Sequence, residues 1–116
     1  MTVHRVVPNL TVADVDAARD AYTATLGLTE VMNHGWILTL ADDAGRQISL
    51  MTRDLTAPVN PHVSVEVDDV DGAYTAAVAA GLRIVHPVTD EQWGVRRFFF
   101  QDPSGNVVNV LSHSPV

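Results

Sequence analysis

"VADVDAARDAYTATLGL", Val12 to Leu28, has a counterpart further along the chain in "VDDVDGAYTAAVAAGL", Val67 to Leu82. Val12, Asp14, Val15 and Asp16 recur as Val67, Asp69, Val70 and Asp71 at a constant offset of 55. The second segment is one residue shorter inside, which sets Gly27 against Gly81. A later match, "DDAGRQISL" with "DPSGNVVNV", sets Gly45 against Gly105 at an offset of 60. Self-similarity of this length marks a duplicated supersecondary unit.

Each copy reads as a strand, a helix and three more strands. In the first, Val3 to Val12 is the opening strand. Asp14 stands where a carboxylate can accept orphan amides at a helix start. Val15, Ala18, Tyr22 and Leu26 recur at helical spacing, and Gly27 stops the helix because glycine enters the left-handed region cheaply. Strands near Thr29–Asn33, Trp36–Ala41 and Gln47–Thr52 follow. In the second copy the elements are a strand from His62 to Val67, the cap Asp69, and a helical stripe of Val70, Ala73, Ala77 and Val78. Gly81 ends that helix. Strands near Arg83–Pro87, Val95–Gln101 and Asn106–Leu111 complete the copy. "TRDLTAPVNP" between the copies has the prolines and polar residues of a linker. The expected fold is therefore α+β, one domain over residues 1–116. It holds two tandem βαβββ modules, 3–52 and 62–112, joined by 53–61.

Composition narrows the function. A chain of 116 residues with 47% hydrophobic content can bury one core. No segment has the length of apolar run that spans a membrane, and "MTVHRVVPNL" lacks the basic and apolar regions of a secretory signal. A cytoplasmic location is expected. The chain has no cysteine, so disulfides, thiolate metal sites and cysteine nucleophiles are excluded. Seven Lys+Arg against fourteen Asp+Glu give a net charge of -7. A nucleic-acid binder would need the opposite balance, because its affinity rests on basic contacts to phosphate. There is no G-x-S-x-G elbow and no glycine-rich phosphate loop.

Alternation along the strands sorts side chains onto two faces. Val63, Val65 and Val67, Ile48 and Leu50, Leu38 and Leu40, Phe98 and Phe100, and Val108 and Val110 form the helix-side face, with Val6, Leu10 and Val12 from the first strand. The opposite face is mixed. It carries Val7, Asn9 and Thr11; Ile37 and Thr39; Gln47, Ser49 and Met51; His62, Ser64 and Glu66; Arg97 and Phe99; and Val107, Asn109 and Leu111. Its apolar members suit a half-buried cleft better than a solvated surface. The repeat offsets relate His62 to Val7 and Asn109 to Ser49, four positions that pseudo-twofold packing would bring to its centre.

"LTVADVDAARDAYTATLGL", "PHVSVEVDDVD" and "RRFFFQDPSGNVVNVLSH" together resemble the vicinal oxygen chelate superfamily, which includes glyoxalase I, extradiol dioxygenases and bleomycin-resistance proteins. The resemblance covers nearly the whole chain. It implies two βαβββ modules in a curved mixed sheet around a cleft, commonly in a homodimer. It also implies a divalent metal held by a His, Gln or Glu in the first strand, a His opening the second module and a Glu in the last strand, with a fourth ligand from the first module in some members. Matched by motif, those slots are Val7, His62, Asn109 and Ser49. Only His62 is a good ligand. A catalytic zinc site takes three protein donors and a non-haem iron site two His and a carboxylate, so no metal cofactor is expected. His4 lies three residues before Val7, which places it on the other strand face unless a bulge intervenes. His34, His86 and His113 fall near turns or strand ends and read as solvated. Glu66 is about 13 Å from His62 at about 3.3 Å per strand residue, too far for one ion.

These readings point to a protein that encloses a small organic molecule without chemistry, in the manner of bleomycin-resistance proteins. Its ligand-contacting residues would be Val7, Asn9, Thr39, Ser49, His62, Ser64, Trp93, Arg97, Phe99, Asn109 and Leu111. Arg97 offers a planar fork to an anionic ligand group, and Trp36, Trp93 and Phe99 offer aromatic walls. The alternative is an enzyme: a metal-dependent lyase or dioxygenase, or a metal-free acid/base catalyst using His62. A small-molecule ligand and a second copy of the chain are the expected partners; nucleic acid and membrane are not.

Overall fold

The computed structural model describes residues 1–113. The order of elements is β1 (Val3–Thr11), α1 (Val15–Leu26), β2 (Thr29–Asn33), β3 (Ile37–Ala41), β4 (Gln47–Met51), β5 (Val63–Val67), α2 (Val70–Ala79), β6 (Arg83–Asp90), β7 (Val95–Gln101) and β8 (Val107–His113). This is the expected α+β class, with βαβββ twice over. Both helix starts follow from their aspartates. The Asp14 carboxylate accepts the amides of Asp16 at 3.0 Å and Ala17 at 3.1 Å, and that of Asp69 accepts Gly72 at 2.9 Å. Gly27 (φ 70°) and Gly81 (φ 73°) take the left-handed turn after each helix. No helix among the described residues is long and apolar enough to cross a membrane.

The chain divides into two compact units, Val7–Asn60 and a second made of Met1–Val6 with Pro61 onward. The first strand is thus shared, a division the repeat does not show. The stretch 53–60 is also more ordered than a bare linker. Asp54 is buried at 1% exposure; its carboxylate accepts from the backbone and hydroxyl of Thr56, while the Asn60 side chain bonds the Asp54 amide and the Thr52 carbonyl.

In the first unit the strand order is β2-β3-β4-β1, with β1 and β4 parallel. Leu38, Leu40 and Leu50 form its fully buried core, packed by Val15, Ala18 and Tyr22 of α1 and by Val12, Leu28 and Ile48. In the second unit the order is β5-β8-β7-β6, with β5 and β8 parallel. Its core joins Val67, Val70, Ala77, Phe98 and Val110, and Tyr74 meets Phe98 edge to face at 5.2 Å. Burying such side chains contributes roughly 1.5–3 kcal/mol each.

Three details differ from the alternation reading. Leu26 (62% exposed) and Val78 (51%) fall outside the packed stripes; Tyr74 takes the place expected of Val78, one turn after Val70. β5 begins at Val63, so His62 precedes the strand. In β1 the faces are reversed in burial: Val6 and Leu10 are exposed, and Val7 and Asn9 are buried. The reason is that α1 packs on β3 and β4, and α2 on β6, β7 and β8. Neither helix covers β1 as it covers those strands.

Candidate functional site

Much of the mixed faces is buried, although Thr11 and His62 are exposed. In the first unit, Asn9 pairs in register with Ser49, and Ser49 with Thr39. All three are buried, as is Val7. Thr39 and Ser49 share a hydroxyl–hydroxyl hydrogen bond of 2.8 Å. The row is neutral, small and hydrogen-bonded.

The second unit has the matching row. Ser64 is in register with Asn109, Asn109 with Phe99, and Phe99 with His86. Asn109 Nδ2 donates to Ser64 Oγ at 3.0 Å. Asn109 Oδ1, on a residue 7% exposed, is buried with no hydrogen-bond donor among the described residues. Glu66, Leu111 and Arg97 form the next row.

Arg97 anchors a network. Its side chain is 4% exposed and its Nε donates to Glu91 Oε1 at 3.3 Å. The guanidinium carbon lies 4.9 Å from the centre of the Trp93 ring and 4.8 Å from that of Phe99, close enough for cation–π attraction to both. The same Glu91 oxygen receives His86 Nε2 at 2.9 Å. A carboxylate only accepts, so Nε2 carries the ring proton. The His86 ring rests on Phe99 with 5.2 Å between centroids. Trp93 stays partly exposed at 38%, in the turn between β6 and β7. Arg96 points elsewhere, to Asp71 at 2.8 Å and Asp90 at 3.1 Å, and the Asp71 carboxylate foremost raises its pKa.

His86 and Glu91 escaped the sequence reading. His86 is the one buried histidine of five, not a solvated one. Pro87 suggests a strand end, yet β6 continues to Asp90. β6 is the terminal strand of its order, where a proline costs no ladder bond. Register shifts on both sides of His86 also break the two-residue alternation. The available signal was the pairing of a histidine with an acidic residue in "HPVTDE", too common to stand alone.

His62 is exposed at the start of β5. Its Nδ1 accepts the Val107 amide at 2.9 Å, and its own amide donates to the Val107 carbonyl at 2.9 Å. Nδ1 therefore bears no proton and Nε2 bears one. Glu66 is engaged by Arg5 at 3.2 Å and by His113 at 3.2 Å. Trp36 is half-buried between β2 and β3. His4 is exposed, and burial alternates regularly from Arg5 to Asn9; no bulge turns it onto the face of Val7.

Taken singly, the residues at the four metal-ligand slots do not suit a divalent metal. Val7 has no donor atom. Ser49 is neutral and bonded to Thr39. Asn109 is neutral. His62 has its proton-free nitrogen on a backbone amide and a proton on the other. None brings the negative charge that offsets the cation in a zinc or iron site. No group of three or more His, Cys, Asp or Glu side chains gathers to hold a metal among the described residues.

Solved structures of the same fold are numerous. A glyoxalase/bleomycin resistance protein/dioxygenase superfamily member from Vibrio splendidus 12B01 is 20% identical, with 97% of this chain and 99% of that one covered and a TM-score of 0.69. The methylmalonyl-CoA epimerase of Mycobacterium tuberculosis is 20% identical, covering 97% and 88%, with a TM-score of 0.68. A Legionella pneumophila structure described as NAD-dependent benzaldehyde dehydrogenase is 13% identical, covering 95% and 100%, with a TM-score of 0.78. These likenesses define the fold. No curated protein sequence matches the chain. The family model of the Glyoxalase/Bleomycin resistance protein/Dioxygenase superfamily matches residues 2–110, and the chain belongs to that superfamily.

Proposed function

We propose that the protein binds a small organic molecule and does so without the divalent metal of its catalytic relatives. The binding face is the one in the second unit that carries Ser64, Asn109, Phe99, Leu111 and Arg97. The observation that carries this reading is the hydrogen bond from the Val107 amide to His62 Nδ1. His62 is the one strong ligand left in the four slots, and this bond holds it in the tautomer whose outer nitrogen is protonated. A metal ligand needs that nitrogen bare, with its second nitrogen donating rather than accepting. A homodimer in the cytoplasm is part of the proposal and rests on family character alone.

Thermal shift on chelator-treated protein tests it, because a ligand that binds the folded state raises its midpoint. Small aromatic and heteroaromatic compounds should stabilise the metal-free protein, and added zinc or manganese should change neither the hits nor their shifts. Stabilisation seen only after a divalent metal is restored would contradict the proposal.

A further inference from the structure

Asn109 holds a buried acceptor with nothing to accept. Its amide is fixed on one side by Ser64 Oγ at 3.0 Å, while Oδ1 has no donor within reach among the described residues. Buried acceptors are almost always paired, and an unpaired one calls for a donor from a bound group or an ordered water. What such an atom takes is an N–H or O–H. A carboxylate or phosphate on the ligand would meet it with like partial charge.

The neighbouring cation does not reverse that preference. Arg97, in the adjoining row of the face, already has Glu91 on its Nε and rings of Trp93 and Phe99 against its guanidinium. The chain as a whole is acidic, at -7, which disfavours anions further.

We infer that Asn109 Oδ1 is the specificity-determining acceptor of the binding face, and that the ligand is a neutral or cationic hydrogen-bond donor rather than an anion. This rests on the metal-free binding proposed above. Oδ1 is buried in this structure, so a donor reaches it only through a local opening of the face. A site built around a buried polar group rejects analogues that lack its partner far more strongly than an apolar pocket rejects a changed shape.

Matched probes test it: indole against 1-methylindole, and benzamide against N,N-dimethylbenzamide and benzoate. Affinities are read by nuclear magnetic resonance titration of labelled protein, with the side-chain amide signal of Asn109 followed. Indole and benzamide are expected to bind at least about tenfold more tightly than their methylated or anionic partners and to shift the Asn109 signal. In Asn109→Leu the preference should vanish with the fold retained, since the change removes the unpaired oxygen. Ser64→Ala, which frees the amide to turn, should weaken the preference without abolishing binding. Equal binding of donors and non-donors, or a preference that survives Asn109→Leu, overturns this inference and leaves the binding proposal standing. Failure of every probe to bind overturns both.

Discussion

The two units share a plan and differ on one face. Their helix sides are interchangeable in kind: Leu38, Leu40 and Leu50 under α1, Phe98 and Val110 under α2. On the opposite side, the first unit lines up Asn9, Ser49 and Thr39, closed by a 2.8 Å hydroxyl bond. The second lines up Ser64, Asn109, Phe99 and His86, with Arg97 and Glu91 beside them. Duplication kept the packing, which every copy needs in order to fold. The residues of the other face differ between the copies. Under the proposed binding, the contrast assigns specificity to the second unit.

Removing the groups peculiar to each face should expose this asymmetry. Glu91→Ala takes away the carboxylate shared by the buried Arg97 and His86. Breaking a buried ion pair from one side should cost about 3 kcal/mol. Ser49→Ala removes only a neutral hydroxyl bond, worth about 1 kcal/mol. Urea unfolding of both variants checks the ranking; equal costs would mean that the charged network adds little.

The turns make the opposite prediction, that the units behave alike. Asp42 and Asp102 stand at the same place in the repeat. Asp42 accepts the amides of Ala44 at 3.0 Å and Arg46 at 2.9 Å, and Asp102 those of Ser104 and Asn106, both at 2.9 Å. Both carboxyls are held below the usual aspartate range, Asp42 chiefly by the Arg46 amide and Asp102 chiefly by the Asn106 side chain. A carboxyl whose folded pKa is depressed stabilises the fold fully above its unfolded value, about 3.9, and loses that contribution as pH falls through the folded one. Asp42→Asn and Asp102→Asn should each reduce the drop in stability on acidification below about pH 4, by similar small amounts. A large difference between them would break the equivalence of the turns.

Most of the fold was legible because it rests on local and repeated rules. The Asp14 and Asp69 caps, the glycines after each helix and the two-residue alternation around Leu50 and Phe98 all follow from neighbours in sequence. The exceptions have non-local causes. Val6 and Leu10 are apolar yet exposed, because helix placement, not strand pattern, decides which face is covered. His86 is buried behind a proline that an edge strand tolerates. Of the candidate site, alternation marked Ser64, alternation with the repeat and the family motif marked Asn109, and the parallel with Leu38 and Leu40 in the other copy placed Phe99 and Arg97. The Glu91 bridge was not, since its partner His86 sits where the register slips. The bond that fixes the His62 tautomer comes from the Val107 backbone, which no side-chain pattern encodes.

The proposed function requires that this face recognise its ligand without a metal. Calorimetric titration of zinc and manganese into the wild-type protein and into Asn109→Glu tests it most directly. Neither protein is expected to bind either metal tightly and stoichiometrically. A carboxylate at 109 still leaves Val7 without a donor atom and His62 Nδ1 on the Val107 amide. Tight stoichiometric binding by the wild type, lost in His62→Ala, would overturn metal-free recognition; the same affinity gained by Asn109→Glu would show that His62 is free to ligate.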